Sequence, residues 1–414
     1  MEIKNGEVFL GGLSATEIAS RFGTPCYVFE AQTIRTRLNS IWESVAHRPL
    51  RVNYAVKAHA NVAILQLLRA MGAGLDACSP GNLVFAEAAG FTADQITYSS
   101  CSATDEELRL AHSRGVLFIA NSLSQLERYA GLGNSRPIGL RVNCGIETGF
   151  HPHVRSGGPE SKFGIHPHEI PEAIETANNL GLRVAGLHTH MGSDVMECGP
   201  YLASLECLIG LSSDIPDLEF IDLGGGWGIP FSDGWPEFEL SGFGKSASAL
   251  MSRFCVDRNR PITLILEPGA FIMQDSGFLL AKITDITPPA WVGGQPTPHF
   301  VYLDANCGHT ISALLYGTVR RVRPARARAS VTNTYHICGD LMQAGDIFAR
   351  NQELTELKIG DIMTIDNCGS YCAVRASVFN QRPRPAEVLV DTGQARLVRR
   401  GETAADLLND QIYE

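Results

Sequence analysis

The chain of 414 residues is 44% hydrophobic, enough to bury a large core, and its length suggests two domains, one of which could be a barrel of roughly 250 residues. Its 34 lysines and arginines stand against 44 aspartates and glutamates, and a net charge of −10 provides no broad basic surface for nucleic acid. No run approaches the ~20 apolar residues that span a bilayer, and no basic start leads into an apolar cleavage segment, so a cytoplasmic protein is expected. Eleven cysteines without a CxxC pair indicate neither a zinc site nor a disulfide framework, and no metal is expected.

The first 24 residues contain one short strand-like run at 8–10. From 25 to 280, short apolar runs at 51–55, 74–77, 95–98, 116–120, 138–142, 184–188, 219–223 and 262–266 alternate with amphipathic stretches such as 60–71 and 170–180. That rhythm predicts a repeated βα unit, and about eight strands predict a closed parallel α/β barrel rather than an open sheet. After Gly277 the pattern changes to strand-like alternation with frequent turns, at 278–286, 299–304, 333–337, 362–365 and 387–390. The predicted organisation is a barrel over 25–280 inserted into an all-β domain built from 1–24 and 281–414. The stretches 288–298 and 381–385 read as loops, and the arginine-rich run 320–328 as a solvated strand and loop, with docking of an acidic partner as the alternative.

The C-terminal ends of parallel barrel strands share one mouth, so motifs far apart in sequence converge there. The first barrel strand ends on Lys57; burial lowers a lysine's pKa, and a neutral amine forms an imine with an aldehyde cofactor. A strand-end lysine can equally be a snorkelling surface residue. Later strands end in Arg141-Val-Asn143, His188-Thr-His190-Met-Gly-Ser193, Asp222-Leu-Gly224-Gly225-Gly226 and Glu267-Pro-Gly269. The glycine run exposes backbone N–H groups to an anion or makes a plain tight turn. Either histidine could be a satisfied core residue, and Glu267 could simply cap the next segment. Together they supply an amine, an anion cradle, a flat ring and a carboxylate.

With Tyr54-Ala-Val-Lys57-Ala, Asp76-Ala-Cys-Ser79-Pro-Gly81, Ser161-Lys-Phe-Gly164, Gly369-Ser-Tyr371 and Phe379-Asn-Gln-Arg-Pro-Arg-Pro-Ala-Glu387 in the same order, nearly the whole chain resembles the fold type III pyridoxal phosphate decarboxylases. These have an alanine-racemase-like barrel, and the likeness is to the diaminopimelate and ornithine decarboxylase group. The resemblance implies pyridoxal 5'-phosphate as cofactor and a homodimer with active sites shared between chains. It implies that Lys57 binds the cofactor aldehyde and His190 stacks on its ring. Ser193, Gly224, Gly225, Gly226, Gly269 and Tyr371 would hold the phosphate, Glu267 would pair with the pyridine nitrogen, and Asp76 and Arg141 would support the ring.

The chain departs from that family at the substrate positions. Ala270 and Ser312, the latter placed by aligning Leu315-Tyr316-Gly317, replace two arginines that fork onto the distal carboxylate of diaminopimelate. In the catalytic loop Gly339-Asp-Leu-Met342-Gln343-Ala-Gly-Asp346, the family's proton-donating cysteine is Met342 and its acidic neighbour is Gln343. A thioether has no proton to give, so Cys338, Lys57, His190 or water becomes the candidate acid. Tyr316, Gln343 and Asp346 remain substrate-binding candidates. The expected activity is removal of the α-carboxylate from a specialised, conjugated or carrier-tethered amino acid. The alternatives are plain lysine or ornithine, with Asp340 or Asp346 receiving the ammonium, or racemase, lyase or transamination chemistry on the same cofactor. A non-catalytic cofactor-binding protein is a further alternative.

Overall fold

A computed structural model describes residues 1–133, 136–231, 234–318, 320–328 and 332–412. The chain divides into two compact units, one formed by Arg35–Ile229 and Pro236–Ile272, the other by Met1–Ile34, Pro230–Trp235 and Met273–Glu414.

In the first unit, eight described strands close a parallel barrel in chain order: β1 Leu50–Ala55, β2 Gly74–Ala77, β3 Ile96–Ser99, β4 Leu117–Ala120, β5 Ile138–Arg141, β6 Val184–His188, β7 Phe220–Asp222 and β8 Thr263–Leu266. Closure runs through β8 and β1, where Leu264 pairs with Leu50. Short polar signals start the intervening helices. Asn61 accepts the N–H of Ala63 at the helix Val62–Ala70, and Thr104 with Glu107 forms a capping box at Asp105–Arg114, which stops at Gly115 with φ 63°. Inside the barrel Phe220 meets Ile119, Ala185 and Ile265. Gly186 on the adjacent β6 and Gly139 on β5 leave room for it: a Cβ at Gly186 would overlap the Phe220 ring, so a large residue on one strand is matched by small ones across from it.

The second unit is built on a nine-stranded sheet. Its main path runs Ile347–Thr355, Thr332–Cys338, His299–Leu303, Gly277–Thr287, Cys26–Glu30, Ala386–Asp391 and Gln394–Arg399, while Ile362–Ile365 pairs with Gly277–Thr287 and with Val322–Pro324. Val8, Leu10 and Ile18 share its core with Cys26, Val28, Phe278, Leu280, Val388 and Val390. The domain boundary expected at residue 24 is therefore corrected. Cys26–Glu30 falls in the range expected for the barrel, but hydrogen-bonds to Gly277–Thr287 and to Ala386–Asp391 instead. The stretch 288–298, read as a loop, contains a small hairpin of Trp291–Val292 and Gln295–Pro296.

Candidate active site

Lys57 lies in a single 3-10 turn, Val56–Ala58, directly after β1. The expectation of a buried lysine is corrected: the strand behind it is buried, but the side chain is 41% exposed where the strand ends in the barrel mouth. Its Nζ donates to Asp76 Oδ2 at 3.3 Å, at the end of β2. Burial raises the Asp76 carboxyl, the charge of Glu267 adds to this, and Lys57 and His188 pull it back.

Three buried side chains from β6, β7 and the end of β8 meet across the barrel. His188 Nε2 donates to Glu267 Oε2 at 3.0 Å. Among the described residues no N–H or fixed O–H reaches Glu267 Oε1 or Asp222 Oδ2, so a proton held between the two carboxyls satisfies both. Burial, reinforced by Glu267, pushes Asp222 well above an ordinary carboxylate, so the proton sits there. Burial alone would raise Glu267 as well, but His188, Lys57 and Asp222 bring it below its usual value. Glu267 is thus the ionised member of the pair. The three ligand atoms lie within 4.8 Å of one another, a spacing a metal also accepts; the His188 to Glu267 bond and the proton on Asp222 favour hydrogen bonding instead.

His190 is neutral, because burial and the charges of Lys57 and Arg141 hold its pKa well below that of a free imidazole. Its Nδ1 accepts the Gly225 N–H at 3.2 Å, which leaves the ring proton on Nε2. Gly224 and Gly226 have φ of 63° and 104°, and a Cβ on Gly226 would collide with Gly192 O, one on Gly225 with Glu267 O. Glycine is required here so that the turn after β7 can lie against the loops after β6 and β8. Ser193 is half-buried on the β6 loop, and Gly269 packs against Ala55 and Ala58, beside Lys57. Arg141 is buried with its guanidinium 4.5 Å from the centre of the Phe163 ring. Ala270 is buried at the start of the short helix Ala270–Met273.

This donor set fits pyridoxal phosphate. An amine opens into the mouth, a neutral flat ring stands beside a turn whose glycines admit no side chain, and the buried, ionised Glu267 keeps lone pairs beyond those used by His188 and Asp222 to meet a protonated ring nitrogen. When bound, that cofactor accepts the electron pair left on an amino acid's α-carbon as carbon dioxide departs. His188 and Asp222 were legible as members of motifs, but nothing in the sequence signalled that they set the charge of Glu267.

The other expected site residues lie in the second unit. Tyr371 has φ 54°, and the Arg375 guanidinium lies 5.0 Å from its ring centre while donating to Tyr316 Oη at 3.2 Å. Sequence reading missed Arg375, which sits four residues past a motif tyrosine. Ser312 Oγ accepts from Arg320 Nη2 at 2.7 Å, so an arginine eight residues along the chain reaches position 312. Met342 is 91% exposed, and its N–H donates to Asn380 Oδ1 at 2.9 Å; Gln343 is exposed too.

Three expectations change here. Asp346 is buried, and its carboxylate accepts the N–H groups of Cys307 at 2.7 Å and Leu341 at 2.8 Å, so it organises its own loop rather than offering itself to an ammonium. Asp340 is likewise engaged, by Asn306 at 2.9 Å and Arg382 at 3.3 Å. Cys338 is buried at the end of the strand Thr332–Cys338, paired with Tyr302 and Ile347, and burial with the nearby Asp346 charge pushes its thiol up to about 11; its place in the strand is that of a structural residue. Three arginines of the run 320–328 have partners within the chain: Arg323 pairs with Asp366 at 2.5 Å, Arg328 takes both oxygens of Asp361, and Arg320 reaches Ser312 and Asn367 O, while Arg326 is exposed.

No described helix is long and apolar enough to cross a membrane. The family model described as pyridoxal-dependent decarboxylase, pyridoxal binding domain, matches residues 31–274. Diaminopimelate decarboxylase of Methanothermobacter thermautotrophicus is 33% identical over 98% of this chain and 96% of its own, and that of Pseudomonas fluorescens is 34% identical over the same shares. The crystal structure of diaminopimelate decarboxylase from M. jannaschii superposes with a TM-score of 0.91 at 28% identity, covering 100% of this chain and 98% of that one. A lysine/ornithine decarboxylase from Vibrio vulnificus, at 20% identity over 91% of this chain and 97% of its own and a TM-score of 0.78, shares the fold. The chain therefore belongs to the pyridoxal-dependent decarboxylases, carboxy-lyases that use pyridoxal phosphate to remove carbon dioxide from an amino acid.

Proposed function

We propose that this enzyme decarboxylates an α-amino acid other than diaminopimelate, a specialised or conjugated intermediate whose distal end is not a bare carboxylate. Lys57 holds the cofactor aldehyde, His190 covers its ring, Glu267 keeps the ring nitrogen protonated with Asp76 and Arg141 beside it, and Ser193, Gly224, Gly225, Gly226, Gly269 and Tyr371 receive the phosphate. As in the family it resembles, the enzyme is a cytoplasmic homodimer with shared active sites.

The observation that carries this reading is the chemistry at positions 270 and 312. Ala270 has no donor, and the Ser312 hydroxyl is already bonded to Arg320. The same contact favours a second reading, diaminopimelate itself. Arg320 brings a guanidinium to Ser312 from another place in the chain, and relatives covering nearly all of it carry that name. Plain lysine or ornithine is less supported, because Asp340 and Asp346 are both committed to other groups. A carrier-tethered substrate is less supported, since Arg320, Arg323 and Arg328 of the basic run have partners within the chain.

The holoenzyme, incubated in D₂O with diaminopimelate, lysine, ornithine, arginine and glutamate conjugates, is followed by proton NMR at the α-carbon. Decarboxylation of a conjugate with one deuterium incorporated, and none of diaminopimelate, is the expected result. Efficient decarboxylation of diaminopimelate overturns the proposal in favour of the second reading. Exchange of the α-proton without loss of carbon dioxide points instead to racemase or lyase chemistry.

A further inference from the structure

The barrel has a second opening. At the N-terminal ends of its strands, on the side opposite Lys57 and Glu267, a cavity of about 230 Å³ is lined by Arg51 at the foot of β1, Asp94 before β3, Leu117 on β4, Arg136 before β5, Glu219 before β7, and an apolar floor that includes Phe220. None of these groups takes part in the cofactor chemistry described above.

The arrangement is chemically specific. Arg51 is half-buried and donates from Nη2 to Asp94 O at 2.9 Å. That bond engages one edge of a five-donor group, and a planar guanidinium takes a carboxylate on another. Arg136 is exposed on the rim, and Asp94 feels the charge of both arginines. Glu219 pairs with Arg183 at 2.6 Å on the outer surface. The rim thus carries cations and carboxylates over an apolar floor. Asp94 and Glu219 would repel a phosphate or a second carboxylate, while the floor gives no partner to an inorganic ion.

We propose that this N-terminal mouth is a binding site for a free α-amino acid with an aliphatic side chain. The carboxylate lies between Arg51 and Arg136, the ammonium faces Asp94, and the side chain rests on Phe220. Phe220 and Asp222 are two residues apart on β7, so both face the barrel interior, and the floor of this mouth is continuous with the carboxyl pair beneath the cofactor site.

The test uses PLP-loaded enzyme reduced with borohydride, so that the cofactor stays bonded to Lys57 and exchanges with no added amine. L-Leucine, L-methionine and L-lysine are titrated calorimetrically, leucine alongside 4-methylpentanoate, which lacks the ammonium, and isoamylamine, which lacks the carboxylate. The expected result is saturable leucine or methionine binding, with both half-ligands at least about tenfold weaker. Arg136→Glu, on the exposed rim, and Ala93→Leu, which fills the mouth, each weaken it by about tenfold or more while leaving decarboxylase activity of the unreduced enzyme unchanged. Absence of any titration overturns the proposal. So does leucine binding that survives both substitutions, which places it elsewhere, or 4-methylpentanoate binding as well as leucine, which removes the role of the ammonium.

Discussion

His188 Nε2 donates to Glu267 Oε2 at 3.0 Å inside the barrel, and this bond, with the proton on Asp222, keeps Glu267 ionised where burial would otherwise protonate it. A neutral amide at 267 cannot hold a proton on a pyridine nitrogen. Glu267→Gln is therefore expected to retain cofactor but lower kcat on the order of 10²-fold. His188→Asn should lower it less, because Asp222 and Lys57 still act on the carboxylate. Equal turnover in Glu267→Gln and the parent enzyme would contradict the assignment.

Asp346 receives two backbone N–H groups in a buried setting, and a Cβ on Gly339 would strike its carboxylate. Hydrogen bonds to a buried charge are among the stronger ones, and removing the acceptor leaves two donors unsatisfied. Asp346→Ala is expected to cost about 3 kcal/mol in urea unfolding, while Gln343→Ala, on the exposed part of the same loop, should leave the midpoint unchanged. Similar stability for the two variants would show that the carboxylate does not organise the loop.

His309 is buried, its Nδ1 accepts the Asn306 N–H at 3.3 Å, and burial pushes its pKa down to about 4 against the opposing charge of Asp340. Unfolded, the ring takes a proton near pH 6.5; folded, it does not until about 4. The unfolded state therefore binds more protons between those values. The group's contribution is complete above pH 6.5 and falls as the pH drops toward 4, by about 3 kcal/mol in all. His190 acts in the same direction. Urea midpoints should decline from pH 7 to pH 5, and His309→Gln should flatten that decline; a variant with the parent's full slope would rule His309 out as a source.

Cys207, half-buried on the helix Gly199–Leu211, lies against Cys144, and that contact holds its thiol down to about 7 against the effect of burial. The same contact, with burial, raises Cys144. Cys372 has a similarly lowered thiol but is fully buried. With limiting iodoacetamide, Cys207 is expected to alkylate first, at a rate that rises through pH 7 as the thiolate forms. Peptide mapping that finds Cys101 or Cys198 modified ahead of it at pH 7 would exclude this pairing.

All eight barrel strands were legible to within two residues, because each is a short apolar run bounded by helix signals and the period of a strand is local. The barrel range 25–280 took in Cys26–Glu30, a strand not read from the sequence, whose partners, Gly277–Thr287 and Ala386–Asp391, lie hundreds of residues away. The strands Ile347–Thr355 and Gln394–Arg399 went unread, since their polar and charged residues, mixed with few apolar ones, carry little apolar alternation.

Chain order and strand ends by themselves determined that Lys57, Asp76, Arg141, His190, the glycine run and Glu267 would share one mouth, because a parallel barrel brings every strand's C-terminal end to the same side. The family resemblance read from the sequence further implied that Ala270, Ser312 and Met342 stand at positions where other residues are expected. Only the tertiary structure decided which groups are charged and which are already engaged. That Asp222 holds the proton and Glu267 does not, that Arg320 reaches Ser312, and that Asp346 serves its own loop all depend on distances between side chains remote or displaced in sequence. Protonation and hydrogen bonding are set by those distances and by burial, neither of which has a local signature in the order of residues.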